Sequence, residues 1–143
     1  MKKTTQSLLI YFILTVSSIM TCPEDQDLLE SIIQIENESG LEDILKNNQG
    51  PIAIYLYSNG CPWCTKMKPV IQKLSENKSF CHVSFYQVNG PEQNAATLVK
   101  HYIDQKVPGY PFIIFMNHGK YIDKQIGGTS REAMIKKLQL LLK

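Results

Sequence analysis

Ile52-Ala53-Ile54-Tyr55-Leu56-Tyr57-Ser58-Asn59-Gly60-Cys61-Pro62-Trp63-Cys64 is the stretch on which the fold turns. Its first half is short, rich in branched and aromatic residues, and bounded by Pro51 and Gly60, which predicts a buried strand. Beyond it, Met67, Val70, Ile71 and Leu74 recur at the spacing of one helix face. The two cysteines therefore stand where a strand ends and a helix begins. Two intervening residues at a first helical turn let both sulfurs meet in one small ring. They also place the Cys61 sulfur over unpaired backbone N–H groups, whose positive potential favours the reactive thiolate. Cys61 is the expected nucleophile and Cys64 its resolving partner.

A bare C-x-x-C also occurs in zinc ribbons. Zinc requires a second ligand pair at similar spacing, and neither a second C-x-x-C nor an H-x3-5-H follows, so no metal is expected. Pro62 suits the first helical position, where its missing N–H costs nothing. Pro69 falls within the same apolar periodicity, which continues past it to Leu74, so a kinked helix is expected rather than a stop.

Residues 1–21 read as a separate object. Lys2 and Lys3 precede an apolar run from Leu8 to Met20, broken only by Thr15, Ser17 and Ser18. A basic start and a short apolar core make a secretory signal, shorter than the about 20 apolar residues of a spanning helix. Val16 and Ser18 suit cleavage after Ser18, and an uncleaved anchor is the alternative. Cleavage before Cys22 would make that residue a lipid carrier, for which Ile19-Met20-Thr21 is a poor lead-in. Each version puts the domain in an exported, periplasmic or other extracytoplasmic space, where disulfide chemistry is needed. The chain has 15 basic and 13 acidic residues. The leader holds two lysines and no acid, so the remainder is neutral and its charge gives no reason to expect nucleic acid or a membrane surface as partner. About 120 residues remain, enough for one domain with one core.

Residues 22–31 read as a linker and 32–143 as the domain. Ile32-Ile33-Gln34-Ile35 predicts a strand, and Ser39 with Glu42 a capping box opening a helix. The Cys61 strand and helix follow, then a turn at Asn77-Lys78-Ser79 and a strand through Val83, Phe85 and Val88. Ala95, Leu98, Val99, Tyr102 and Ile103 mark a third helix face. Pro111–Met116 and Lys120–Ile126 form a hairpin about Asn117-His118-Gly119, and Thr129 with Glu132 caps a last helix. This order, β-α-β-α-β-α-β-β-α, predicts an α/β domain with a central mixed sheet flanked by helices.

Strand, C-P-W-C, a proline five residues past the second cysteine, and that element order together resemble the thioredoxin-like superfamily. The resemblance runs from about Ile32 to Lys143 and implies a thioredoxin fold. It further implies an enzyme, a thiol–disulfide oxidoreductase that reduces, forms or isomerises protein disulfides through a Cys61–Cys64 dithiol/disulfide pair. No cofactor is implied. Protein or peptide thiols and disulfides are the implied partners, with a further redox partner to reset the pair, and a monomer is expected. In that family a cis-proline opens the strand after the third helix and lies against the cysteines. Pro111 takes that place, leaving the Tyr110 backbone to pair with substrate, whereas by itself Pro111 reads as an ordinary trans proline at a strand start.

Some residues depart from the family pattern. Thioredoxins carry a buried Asp six residues before the first cysteine, and this chain has Tyr55, a poor proton acceptor at neutral pH. Trp63 reads equally as packing and as a substrate platform. The expected potential lies between the about −270 mV of thioredoxin and the about −120 mV of strong periplasmic oxidants, which leaves electron direction open. Tyr57–Cys64 and Ile126-Gly127-Gly128-Thr129 also resemble glutaredoxin segments, making a glutathione-dependent enzyme one alternative. A non-catalytic peptide- or metal-binding module is another. Cys81 reads by default as a buried free thiol, with a Cys22–Cys81 bridge as the alternative. His82, His101 and His118 share no motif spacing with one another or with the cysteines, and Lys66, Lys68 and Lys73 read as a solvated helix face.

Overall fold

A computed structural model describes Cys22 and residues 31–143. The predicted leader and most of the predicted linker lie outside the described residues. The elements are β1 (Ile32–Ile35), α1 (Glu38–Asn47), β2 (Ile52–Tyr57), α2 (Pro62–Ser75), a 3-10 turn (Lys78–Phe80), β3 (Ser84–Asn89), α3 (Ala95–Ile103), β4 (Phe112–Asn117), β5 (Lys120–Ile126) and α4 (Arg131–Leu141). The five strands form one sheet in the order β1-β3-β2-β4-β5. β1, β3 and β2 run parallel, while β4 and β5 are antiparallel additions. This is the thioredoxin fold.

Strand alternation splits the core into two layers. Ala53 and Tyr55 of β2 join Ile113 and Phe115 of β4 on one face, beneath Cys64, Met67 and Ile71 of α2 and Met134 and Leu138 of α4. Ile52, Ile54 and Leu56 join Phe112, Ile114 and Met116 on the other, beneath Leu41 and Leu45 of α1 and Val99 of α3. Because β2 and β4 are central and covered on both faces, Ile52–Leu56 and Phe112–Met116 are buried without interruption. Each large side chain so buried contributes about 1.5–3 kcal/mol from apolar surface removed from water.

The helix caps differ from expectation by one or two residues. Asn37, in extended backbone, accepts the Gly40 N–H at 2.8 Å, so α1 starts before Ser39, whose hydroxyl donates to the Asn37 side chain. Ser130 rather than Thr129 caps α4, accepting the Ala133 N–H at 3.2 Å. α2 continues through Pro69 to Ser75. His118 and Gly119 both take positive φ, 48° and 71°, as a two-residue hairpin loop of matching twist requires. Among the described residues, no helix is long and apolar enough to cross a membrane.

Candidate active site

Gly60 adopts φ 73°, a conformation open to glycine at little steric cost, and turns the chain from the end of β2 into α2. Asn59 fastens this turn by donating to Glu92 at 2.9 Å. Cys61 is the N-cap of α2 and Pro62 its first residue. The Cys61 Sγ accepts the Cys64 N–H at 3.1 Å, in the place a serine or aspartate oxygen fills at other helix starts. The first turn carries no acidic residue to offset the positive end of the helix. Cys61 and Cys64 are joined in a disulfide with Cα atoms 5.2 Å apart. Cys61 is half-buried and Cys64 only 5% exposed, so one sulfur faces outward and the other faces the core.

The chain reaches this pair again from β4. The Tyr110–Pro111 peptide is cis, and the Tyr110 carbonyl oxygen stands 3.6 Å from Cys61 Sγ. Tyr110 lies just before β4, outside its ladder. Its ring rests on Gly90, where a Cβ would fall 2.2 Å from a ring carbon. Gly90 in turn donates its N–H to the Tyr57 carbonyl at 2.8 Å. The Pro111 carbonyl accepts the Gly127 N–H at 2.8 Å, which brings the Gly127-Gly128 loop to the same end of the sheet. There Trp63 lies across Gly128, whose Cβ would come within 2.5 Å of the indole. Trp63 is nevertheless 58% exposed, and the Lys66 Nζ sits 4.6 Å over its ring. Trp63 is thus both packed on one side and open on the other, and Lys66 does more than solvate a helix face.

Beneath the cysteines, Tyr55 donates its hydroxyl to the Cys64 carbonyl at 2.8 Å and stacks on Tyr57. Burial, with a smaller contribution from Tyr57, pushes the Tyr55 hydroxyl up to about 12. It is therefore a donor that pins the first turn of α2, and it keeps its proton at neutral pH. Apart from cysteines and tyrosines, Asn89 is the one polar side chain among the described residues that is buried. Among the described residues, no buried carboxylate stands near Cys64.

The remaining two cysteines overturn the default expectation for Cys81. Cys81 is exposed and bonded to Cys22, 59 residues away in sequence. His82 stands beside this bond: its ring nitrogen and the two sulfurs all lie within 4.8 Å of one another. Linear spacing hid that grouping because the bridge brings in a residue from far along the chain. Gly90 and Gly128 were likewise invisible as packing partners of Tyr110 and Trp63. His101 packs edge-on against Tyr102, and His118 is in the hairpin loop, both away from the cysteine pair.

Comparison with known proteins accords with this geometry. The family model described as Thioredoxin matches residues 31–140. The chain belongs to the thioredoxin family. Among solved structures, the oxidised form of mitochondrial thioredoxin 3 from Saccharomyces cerevisiae is similar at 22% identity and TM-score 0.61, covering 76% of this chain and 94% of that one. Thioredoxin from Malassezia sympodialis is similar at 18% identity and TM-score 0.62, covering 82% and 96%. Thioredoxin f from spinach chloroplast is similar at 15% identity and TM-score 0.63, covering 78% and 87%. At these identities the likeness speaks for the fold. None of the curated protein sequences matches the chain.

Proposed function

We propose that this thioredoxin-family chain is an extracytoplasmic thiol–disulfide oxidoreductase acting on protein or peptide disulfides. The observation that carries the reading is the Cys61 sulfur at the N-cap of α2, accepting a backbone N–H and facing the Tyr110 carbonyl. In the dithiol form the helix end stabilises the Cys61 thiolate. That thiolate attacks one sulfur of a substrate disulfide, forming a mixed disulfide and expelling the other substrate sulfur as a thiolate, which takes up a proton. Cys64 then loses its proton and attacks Cys61. The internal disulfide forms, the second substrate thiolate leaves, and two electrons have passed to the substrate. The same steps in reverse insert a disulfide into a dithiol substrate.

Substrate is held by extended pairing with the Tyr110 backbone, with Trp63 as an apolar rim. The export reading draws support from the signal-like residues 1–21 and from the pairing of all four cysteines in disulfides. Reduction of insulin by a dithiol tests the activity. Turnover should vanish in Cys61→Ser, and Cys64→Ser should accumulate the mixed disulfide. Turnover that survives Cys61→Ser would sink the reading, and dependence on added glutathione would replace it with the glutaredoxin-like one.

A further inference from the structure

We propose that Cys22, Cys81 and His82 form a redox-gated site for a thiophilic divalent cation, zinc above all, at the end of the sheet away from Cys61. Three donors of the types zinc prefers already lie within 4.8 Å of one another. Two of them are held ready by the fold. Cys81 and His82 are both exposed, between buried Phe80 and Val83, so the backbone carries them outward as a knuckle. The knuckle is closed by Phe80 N–H to the Asn77 carbonyl at 2.8 Å and Val83 N–H to the Phe80 carbonyl at 2.9 Å. The Asn77 side chain adds a third bond by accepting the Ser79 N–H at 2.9 Å.

The geometry suits a metal. In a tetrahedral site with Zn–S about 2.3 Å and Zn–N about 2.0–2.1 Å, donor atoms are roughly 3.5–3.8 Å apart. The sulfurs need only separate by a rotation of side chains, since the Cα atoms of Cys22 and Cys81 are already 6.0 Å apart. In the disulfide state both sulfurs are engaged and the site is closed. A dithiol reductant opens it: two electrons pass to the Cys22–Cys81 bond, the reductant leaves as a disulfide, and two thiols result. Zn2+ then displaces the two thiol protons and takes the His82 nitrogen as third ligand, with water in the fourth position. Metal and disulfide close the same long loop, so the cation restores a crosslink that reduction removes.

The test uses the full-length chain carrying Cys61→Ser and Cys64→Ser, so that Cys22 and Cys81 are the remaining thiols. After reduction with a phosphine and its removal, Zn2+ titration against a chromophoric chelator should give a single bound ion per chain, and the oxidised protein should bind none. Co2+ should give thiolate-to-metal charge-transfer absorption in the reduced form only. His82→Ala should weaken Zn2+ binding by about tenfold or more, at least the loss seen when a ligand's supporting partner is removed. Zn2+ should also raise the thermal midpoint of the reduced protein. If the serine variant does not fold, the reduced parent and reduced Cys22→Ser are compared, and the parent should bind one further ion. Equal binding by oxidised and reduced protein, no charge-transfer band, or no change in His82→Ala would each overturn the proposal.

Discussion

Two disulfides sit at opposite ends of the sheet, and they differ in the loop they close and in how far they are buried. β2 and β3 run parallel with Ile52 opposite Ser84 and Tyr57 opposite Asn89. Cys61 follows the far end of β2 and Cys81 precedes the near end of β3, so about 20 Å of strand separates the two regions. Cys61–Cys64 spans three residues at a helix start and shields one sulfur in the core. Cys22–Cys81 spans 59 residues and lies on an exposed turn. A crosslink acts mainly on the unfolded chain, by an amount that grows with the loop it closes. Opening the short ring therefore costs less stability than opening the long one. The long one constrains half the domain.

The largest expected effect separates the two bonds by activity. Cys61→Ser should bring insulin reduction down to the rate of the reductant alone, while Cys22→Ser should leave turnover near the parent level. Equal losses in both would break the contrast and give the distal bond a catalytic part. In the reduced protein, iodoacetamide should label Cys61 first, at a pH below the about 8.5 where free cysteine ionises, with sheltered Cys64 slowest. Uniform labelling would remove the helix end as the source of reactivity.

Stability reverses the ranking. Breaking the long loop with Cys22→Ser should cost about 4 kcal/mol in denaturant unfolding of the oxidised protein, against about 2 kcal/mol for the short ring in Cys61→Ser/Cys64→Ser. Near-equal losses would mean that loop length is not what distinguishes the two bonds.

The active-site end has a further signature in alkali. Tyr55 holds its proton to about 12 in the folded protein, against about 10 unfolded. Between those values the folded state binds more protons, so the contribution of Tyr55 to stability is fully present below pH 10 and is lost as pH rises towards 12. The expected loss is roughly 2–3 kcal/mol by the top of that window. Tyr102, Tyr110 and Tyr121 are also raised and add to the same slope. Tyr55→Phe should flatten the dependence measured by unfolding at fixed pH values. An unchanged slope would show that the hydroxyl under Cys64 is not held as described.

How far the sequence discloses these regions depends on the range of the physics involved. β2 and β4 are legible because a strand covered on both faces must be apolar throughout, and Ile52–Leu56 and Phe112–Met116 are. Cys61 and Cys64 are legible because their chemistry lies within one helical turn. The caps are harder, since Asn37 competes with Ser39, and Ser130 with Thr129, and backbone dihedrals decide between neighbours of equal chemistry. Cys81 is hard to place for a related reason: Phe80 and Val83 take the buried positions on either side and leave Cys81 outside. Contacts such as Gly90 with Tyr110 exist only once the chain has folded, and no local pattern announces them.

The smallest expected effect concerns the rim of the active-site end. Gly128 and Gly90 both leave room for an aromatic ring, and a Cβ on either would be too close to that ring. The two rings differ in freedom. Tyr110 is half-buried beside the Cys61 sulfur, so Gly90→Ala must displace a packed ring and should cost about 1–3 kcal/mol. Trp63 is largely exposed and can swing outward, so Gly128→Ala should change stability by only about 0.5 kcal/mol. Its effect should instead appear where substrate meets the indole. A platform that has moved weakens binding of the substrate without disturbing the sulfurs, so KM for a disulfide peptide should rise while kcat holds. The intrinsic fluorescence of Trp63, the sole tryptophan of the chain, should shift with it. If Gly128→Ala shifted the fluorescence and left KM unchanged, Trp63 would be a packing residue alone, and the substrate contact would rest on Tyr110.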